Sequence, residues 1–305
     1  MPKIAVLIPC YNEEKTIGKV VDDFKLIFPD ADIYVYNNNS TDNTVEIAKE
    51  HGAIVEYVYQ QGKGFVIRNM FRDIEADCYI TVDGDDQVEA SDAAILAKHI
   101  LNGRADIVIG DRLSGSYFSE NNRRFHGAGN RLVRGLINHI FKSNVRDIMS
   151  GYRAFSRKFV KTFPILSGGF EIETEMTIHM LDKRILYMEE PIQYRDRIEG
   201  SVSKLNTVSD GIKVLKTIFM LYKDYRPFGF FNMISFLFFI VSFGMLVPVL
   251  VDYYHTGLVA RFPTLFVSVG LGIIGILSFT CGIILDTIKK HNDRTYELLA
   301  NFISK

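Results

Sequence analysis

Residues 78–87 read Cys-Tyr-Ile-Thr-Val-Asp-Gly-Asp-Asp-Gln, an apolar run that stops abruptly in a cluster of acidic side chains. The run is typical of a buried strand, and Gly84 allows the chain to turn without a side chain in the way. Closely spaced carboxylates repel one another unless water or a hard cation neutralises them. We therefore expect at this turn either a divalent cation, Mg²⁺ or Mn²⁺, or an acidic loop exposed to water.

Strand-like and helix-like segments alternate around this run through the first two hundred residues, which predicts an α/β domain built of βαβ units. A helix is predicted over 16–27, where the apolar residues share one face. The predicted strands are 3–9, 32–36, 54–59 and 78–82. Ligands of open α/β sheets bind outside the carboxyl ends of the strands, so the polar turns that follow these strands should form the binding site.

Length, charge and cysteine content exclude several classes of protein. A chain of 305 residues allows two domains at most. Its 35 basic and 36 acidic side chains give a net charge of −1, which argues against a non-specific nucleic-acid binder. The three scattered cysteines do not suit a disulfide framework or a cysteine zinc site, and the histidines lack metal-ligand spacing.

Two uncharged stretches near the C-terminus, 228–251 and 262–285, are each long enough to span a bilayer. Basic residues precede the first and follow the second, while the connecting loop holds only Arg261, so both termini are expected on the cytoplasmic side. The preceding segment, 207–227, has the apolar face of an interfacial helix. The N-terminus has no predicted signal peptide.

Small residues form a stripe along the second predicted span, at Ser268, Gly272, Gly275 and Gly282. Such a stripe lets another helix approach closely. The sequence leaves two partners open for it. One is the first span of the same chain, and the other is a second copy of the chain in a homo-oligomer.

Six short motifs follow one another along the chain. They are Ile-Pro-Cys-Tyr-Asn-Glu-Glu at 8–14, Asn-Asn-Asn-Ser-Thr-Asp at 37–42, Gly-Lys-Gly at 62–64, Asp-Gly-Asp-Asp-Gln at 83–87, Arg-Asp-Ile-Met-Ser-Gly-Tyr-Arg at 146–153 and Asp-Arg-Ile-Glu-Gly-Ser-Val-Ser-Lys at 196–204. In this order they resemble the GT-A-type family 2 glycosyltransferases, in the branch that loads a sugar onto polyprenyl phosphate in the manner of dolichyl-phosphate mannose synthase. The resemblance covers almost the whole chain.

The resemblance implies a GT-A (Rossmann-like) nucleotide-sugar domain over 1–206 and a juxtamembrane amphipathic helix over 207–227. A transmembrane hairpin over 228–286 and a cytoplasmic tail over 287–305 would follow. It also implies a homo-oligomer, a tetramer in one known arrangement of this branch.

The donor site implied by the resemblance lies at the turns after the first, second and fourth strands. Its nucleotide-sugar residues would be Pro9, Tyr11, Glu13, Asn38, Ser40, Lys63, Asp83 and Gly84. Asp83, Asp85 and Gln87 would hold Mg²⁺ or Mn²⁺ against the donor diphosphate. Many relatives have two acidic residues where this chain has Asn37 and Asn38. An Asn carbonyl can still accept a hydrogen bond from the base, and UDP is the nucleotide we expect.

The resemblance also implies the acceptor and catalytic residues. The acceptor phosphate or the diphosphate would be bound by Arg124, Arg131, Arg197 and Lys204. The catalytic residues would be Asp147, Asp85 and Glu175. Asp147 would orient the acceptor or act as a base, and the alternative is a structural carboxylate paired with Arg146 or Arg153. Glu173 and Glu175 either face the sugar or lie on the solvent-exposed face of a strand or helix.

The function implied is inverting transfer of a sugar from a UDP-sugar to undecaprenyl or dolichyl phosphate, at the cytoplasmic face of a prokaryotic plasma membrane. Residues 37–44 and 170–176 resemble the corresponding segments of relatives that load N-acetylglucosamine, which favours this sugar. One alternative is transfer to another lipid or to a polysaccharide. The other is a catalytically silent membrane scaffold that binds nucleotide sugar.

Overall fold

Seven strands form one sheet in the N-terminal part of the chain. They are β1 (Ile4–Cys10), β2 (Asp32–Asn37), β3 (Ile54–Tyr57), β4 (Cys78–Thr81), β5 (Ile107–Asp111), β6 (Arg153–Ser156) and β7 (Tyr187–Pro191). The computed structural model describes residues 2–114, 124–195, 219–220 and 222–303, and for 124–130 the backbone alone. The first four strands agree with the predicted ones to within two residues.

The sheet is mixed, with the strand order β3-β2-β1-β4-β6-β5-β7. β1 is parallel to β2 and β4, β2 is parallel to β3, and β5 is parallel to β7. β6 is antiparallel to both of its neighbours and pairs Arg153 with Thr81 at the end of β4. The residues that lead into β6 therefore lie at the same edge of the sheet as the carboxyl ends of β1, β2, β4 and β5.

Helices alternate with these strands along the chain. They are α1 (Ile17–Ile27), α2 (Thr44–Glu50), α3 (Lys63–Asp73), α4 (Asp92–Leu101), α5 (Arg124–Phe141), α6 (Arg157–Thr162) and α7 (Ile172–Asp182). Residues 5–8 of β1 and all four residues of β4 are buried, as their continuous apolar runs predict for strands covered on both faces. The α/β architecture predicted from the sequence is confirmed.

Two long helices follow, α8 (Pro227–Thr256) and α9 (Phe262–Ile303). Each is long and apolar enough to cross a membrane, and only 11% and 17% of their most apolar windows are buried. A core helix of a soluble protein would be mostly buried instead. The chain divides into two compact units, Met1–Thr217 with Leu299–Lys305 and Ile218–Leu298.

The ends of these helices differ from the predicted boundaries. α8 begins with Pro227 in its first turn and ends before Gly257, whose φ of +67° is the left-handed conformation that favours glycine. α9 continues to Ile303, so the predicted tail over 287–305 is helical through that residue. Most of the interfacial helix predicted over 207–227 lies outside the described residues.

The stripe of small residues on α9 packs against α8 of the same chain. Ser242 donates a hydrogen bond to the Ser268 carbonyl at 2.7 Å, and Ser235 donates one to the Gly275 carbonyl at 2.7 Å. A Cβ added to Gly282 would lie 3.0 Å from the Cβ of Phe231. Of the two partners that the sequence left open, the structure shows the first span in contact with this stripe.

We expect Gly282→Leu to destabilise this helix pair by about 1–3 kcal/mol, because the added side chain overlaps Phe231 where no space is left. The check is the midpoint of thermal unfolding of the purified protein in detergent. Gly270→Leu is the matched control on α9, since a Cβ there meets nothing within 4 Å. Equal midpoints for the two variants would contradict the packing.

Candidate functional site

A cavity of about 300 Å³ lies at the carboxyl edge of β1, β2 and β4. Eight of the predicted site residues line it, and these are Pro9, Tyr11, Glu13, Asn38, Lys63, Asp83, Gly84 and Asp85. The sequence did not predict the other lining residues, which are Cys10, Gln61, Gly62, Val66 and Phe170. Apolar and aromatic groups thus share the cavity with a few charged ones, which is typical of a small-molecule site.

The turns after β1 and β2 are tied together by side chains of the first two motifs. The Asn12 N–H donates to Ser40 Oγ at 3.0 Å, and Asn12 Oδ1 accepts from the Thr41 N–H at 2.8 Å. The Glu13 N–H donates to Thr44 Oγ1 at 2.8 Å. Ser40, which was predicted to bind nucleotide, therefore joins the two turns and supports the cavity wall.

Asn38 fastens the loop between β3 and α3 to the same wall. Its amide NH₂ donates to the carbonyls of Val58 at 2.8 Å and Gln60 at 2.9 Å, and its oxygen accepts from the Gly62 N–H at 2.8 Å. Asn38 is buried, with 4% of its surface exposed. Both ends of the amide are occupied by backbone, so the loop position depends on this side chain.

Both glycines of the Gly-Lys-Gly motif are required by close backbone approach. Gly62 has φ of +137°, and a Cβ there would lie 2.1 Å from the Gly168 carbonyl oxygen. A Cβ on Gly64 would lie 2.1 Å from the Ser167 carbonyl oxygen. The motif is thus a packing element that brings Lys63 to the first position of α3, at the cavity.

The ammonium group of Lys63 lies between two carboxylates at the cavity edge. Nζ is 2.5 Å from Asp83 Oδ1 and 2.7 Å from Glu173 Oε1. Burial lowers the pKa of Lys63, but the charges of these two carboxylates raise it by a larger amount. The pKa therefore lies above its ordinary value. Lys63 is therefore a permanent cation.

The acidic side chains at 83–87 point to two different places. Asp83 and Asp85 line the cavity, whereas Asp86 pairs with Lys19 of α1 at 2.8 Å. The turn is held because Thr16 Oγ1 donates to the Gly84 carbonyl at 2.5 Å. Asp85 and Asp86 are each only 7% exposed, so the alternative of a fully exposed acidic loop is wrong.

The oxygen donors present fit a hard cation that shares its coordination with a substrate. Within the described parts of the chain, no group of three or more His, Cys, Asp or Glu side chains is placed to hold a metal ion. Asp83 and Asp85 line both the main cavity and an adjoining one of about 30 Å³, where Gln87 joins them. Mg²⁺ is commonly bound by one or two carboxylates plus substrate phosphates and water, which matches this set.

The buried carboxylate of Asp147 forms a bidentate ion pair with Arg112, whose side chain is 21% exposed, beside the smaller cavity. Arg112 Nε is 2.7 Å from Asp147 Oδ2, Nη2 is 2.9 Å from Oδ1, and the Arg112 N–H also donates to Oδ2 at 3.2 Å. Burial raises the pKa of Asp147, but the charge and hydrogen bonds of Arg112 outweigh it and lower the pKa below its ordinary value. The expected partners, Arg146 and Arg153, are not the ones that hold Asp147.

The smaller cavity brings Arg112 next to the acidic turn. Its lining includes Asp83, Asp85, Arg112, Gly151 and Tyr194. The guanidinium carbon of Arg112 lies 5.5 Å from the centre of the Tyr194 ring. Arg112 was missed in the sequence although it directly follows the carboxyl end of β5, which is the same signal that identified the acidic turn.

Arg153 ties the loop before β6 to α7. It is fully buried and donates to the carbonyls of Ser150 at 2.7 Å, Ile148 at 2.7 Å and Glu173 at 3.2 Å, and to Thr177 Oγ1 at 3.0 Å. Burial lowers its pKa to about 10. The Arg153 side chain thus fixes the first turn of α7 against the loop that lines the smaller cavity.

Two acids of α7, Glu173 and Glu175, were considered for the site. Of these, Glu173 lies next to Lys63. Glu175 accepts hydrogen bonds from the Leu166 N–H at 3.0 Å and the Ser167 N–H at 2.8 Å and is buried. Glu175, predicted as catalytic, therefore holds the backbone of the loop against which Gly64 packs. We assign it a structural role.

Only two of the four predicted acceptor residues, Arg124 and Arg131, lie within the residues that the structure describes. Arg131 lies exposed on α5, and Arg124 begins that helix with its side chain outside the description. Arg197 and Lys204 lie outside the described residues.

Comparison with known proteins identifies the family. Residues 5–163, slightly more than half of the chain, match the family described as glycosyl transferase family 2. The chain belongs to this family. Glycosyltransferase AglJ of Haloferax volcanii is 33% identical over 237 residues, which cover 76% of each chain.

A second relative and one solved structure are also similar to this glycosyltransferase. The UDP-N-acetylglucosamine–dolichyl-phosphate N-acetylglucosaminyltransferase of Methanococcus voltae is 26% identical over 241 residues, 72% of this chain and 95% of that one. The crystal structure of glucosyl-3-phosphoglycerate synthase from Mycobacterium tuberculosis, solved with Mn²⁺, UDP and phosphoglyceric acid, superposes with a TM-score of 0.58 over 73% of this chain and 78% of that one. At 20% identity this second likeness shows the shared fold.

We expect Asp147→Asn to destabilise the glycosyltransferase by about 3 kcal/mol at pH 7, because it leaves Arg112 without its buried counter-ion. The folded pKa of Asp147 lies below the ordinary value of 3.8, so its stabilisation is present above about pH 4 and is lost as the pH falls through the folded pKa. Denaturant unfolding at several pH values measures the difference.

Asp23→Asn is the control, since its pair with Lys19 is exposed and its removal should cost less than about 1 kcal/mol. A difference between wild type and Asp147→Asn that stays constant down to pH 3 would contradict the ion-pair account.

Proposed function

We propose that this glycosyltransferase moves a sugar from a UDP-sugar to a polyprenyl phosphate, with inversion at the anomeric carbon. The observation that carries the proposal is the arrangement of the two cavities. The larger one has the volume and mixed lining of a nucleotide-sugar site, and the smaller one joins the same carboxylates, Asp83 and Asp85, to the cation Arg112. A donor and an anionic acceptor can therefore meet at one acidic turn.

The donor site combines a wall for the base with a charged end for the diphosphate. Tyr11, Val66 and Phe170 offer aromatic and apolar surface. Asp83 and Asp85, with Gln87, would hold Mg²⁺ or Mn²⁺, and a divalent cation bound there would neutralise negative charge on the departing nucleotide. The M. tuberculosis synthase of similar fold was crystallised with Mn²⁺ and UDP, which supports this assignment.

The acceptor side needs positioning more than deprotonation. A phosphate monoester is largely ionised near pH 7, so an oxygen of the acceptor is already nucleophilic. Asp147 is engaged by Arg112 through two side-chain contacts, and we propose that it orients Arg112 toward the acceptor phosphate rather than acting as a base. Arg124, Arg131, Arg197 and Lys204 would complete the headgroup site.

Polyprenyl phosphate is proposed because of the two apolar helices and one relative, and N-acetylglucosamine because of that relative. α8 and α9 would insert in the bilayer and hold the enzyme near a lipid acceptor, with both termini cytoplasmic because basic residues flank the pair. The M. voltae relative is by its name a UDP-N-acetylglucosamine–dolichyl-phosphate transferase, which supports both the acceptor class and the sugar. A homo-oligomer stays a prediction from the family resemblance.

The test is transfer of radiolabelled sugar by the detergent-solubilised protein, with a panel of UDP-sugars, undecaprenyl phosphate and Mg²⁺ or Mn²⁺. We expect label in an organic-extractable product that mild acid cleaves. Asp85→Asn should lower the transfer rate by about 100-fold or more, because it removes charge at the cation site. Asp23→Asn is the control, since Asp23 forms an exposed ion pair with Lys19, lines neither cavity and should leave transfer within about threefold of wild type.

Equal rates for the two variants would sink the cation site. Binding of a UDP-sugar with no transfer to polyprenyl phosphate, for every sugar offered, would sink the acceptor and favour another lipid, a polysaccharide or a silent scaffold.

A further inference from the structure

Glu173 is the one carboxylate of the Lys63 cluster for which the proposed chemistry has no task. Its Oε1 lies 2.7 Å from Lys63 Nζ, and Asp83 Oδ1 lies 2.5 Å from the same ammonium nitrogen. The side chains of Glu173 and Lys63 are 8% and 11% exposed, whereas that of Asp83 is 45% exposed. Lys63 is thus shared between a buried carboxylate and an accessible one.

We propose that Glu173 is a positioning residue for the cation site and that it acts through Lys63. Lys63 serves as the counter-ion of Asp83 when no divalent cation is present. Glu173 gives the ammonium group a second anionic partner, so Lys63 can release Asp83 without leaving the site or losing its own charge compensation. This inference rests on the proposed function, which makes Asp83 a cation ligand.

The backbone of Gly151 approaches the three charged groups of this cluster closely. A Cβ added to Gly151 would lie 2.8 Å from Lys63 Nζ, 3.0 Å from Asp83 Oδ2 and 3.4 Å from Glu173 Oε1. The backbone of Gly151 therefore covers all three groups, and a side chain at this position would block the cluster.

Glu173 is held firmly enough to keep Lys63 in place. It lies in the first turn of α7, and its carbonyl accepts hydrogen bonds from Arg153 at 3.2 Å and from Thr177 Oγ1 at 2.9 Å. The backbone around Lys63 is equally fixed, because the Gly64 N–H donates to the Gly168 carbonyl at 3.1 Å. Both partners thus stand on rigid backbone, and only the end of the lysine side chain has to shift.

The charges of these residues explain why the second partner of Lys63 would affect the binding of a divalent cation. Three carboxylates, Asp83, Asp85 and Glu173, repel one another in a partly buried site, and Lys63 offsets one of the three charges. Without Glu173, Lys63 would have Asp83 as its sole carboxylate partner in the cluster, and a divalent cation would have to displace the ammonium group directly. Without Lys63, a divalent cation would meet no ammonium group at Asp83.

The experiment is a double-mutant cycle on binding of Mn²⁺ to the detergent-solubilised protein in saturating UDP, followed by the electron paramagnetic resonance signal of free Mn²⁺. We expect Lys63→Met to tighten binding and Glu173→Gln to weaken it, each by about threefold or more, as for coupled residues in contact. The double variant should bind like Lys63→Met, because Glu173 has no effect once the lysine is gone.

Glu171→Gln is the matched control. It removes the same charge next to the start of the same helix, where Glu171 accepts a hydrogen bond from the Gly169 N–H, and should leave Mn²⁺ binding within about twofold of wild type. If Glu173→Gln weakens binding by the same factor with and without Lys63, Glu173 acts by its own charge and the inference is overturned. Failure of both wild type and Lys63→Met to bind Mn²⁺ overturns it as well.

Asp85→Asn separates this inference from the proposed function. Mn²⁺ binding that does not depend on Asp85 would overturn the cation site, and the positioning role of Glu173 with it. Binding that depends on Asp85, together with independent effects of Lys63 and Glu173, would overturn the positioning role alone.

Discussion

Negative charge at the end of a buried strand is the constraint on which the rest of the site depends. β4 is buried throughout, and the chain leaves it for Asp83, whose side chain is 45% exposed, and for the buried Asp85, so water shields these two charges from each other only in part. The positive charge that compensates these carboxylates comes from another element of the fold. Lys63 supplies it at the start of α3, and the two glycines beside Lys63 allow that helix to begin against the backbone of 167–168.

The same edge of the sheet carries a second compensated charge. Asp147, in the loop before the antiparallel strand β6, meets Arg112 at the end of β5, and the pair lies beside the smaller cavity. Because β6 runs opposite to its neighbours, a loop at its start reaches the edge where β4 and β5 end. The mixed sheet thus brings three polar segments, distant in sequence, to the site where donor and acceptor are proposed to meet.

The sequence predicted what local patterns encode and failed where distant contacts decide. The first four strands, and the place of the binding site at their polar turns, follow from apolar runs that end in polar residues, whereas the individual cavity residues came from the family resemblance. The partner of Asp147 was sought among its sequence neighbours, whereas Arg112 comes from another strand. Glu173 and Glu175 could not be separated by composition, yet two positions on a helix differ by about 200° in direction, so only one could face Lys63. That choice depends on how α7 is oriented, which the loop at 148–151 and Arg153 determine.

The most direct test of this account is the position of a manganese ion in crystals of the protein grown with Mn²⁺ and UDP, located by anomalous scattering. The account predicts a single strong peak within about 2.3 Å of carboxylate oxygens of Asp83 or Asp85 and beside the diphosphate, with Lys63 still on Glu173. A peak bound by other residues, or a loaded nucleotide site in which Lys63 remains on Asp83 and no manganese is bound there, would contradict it.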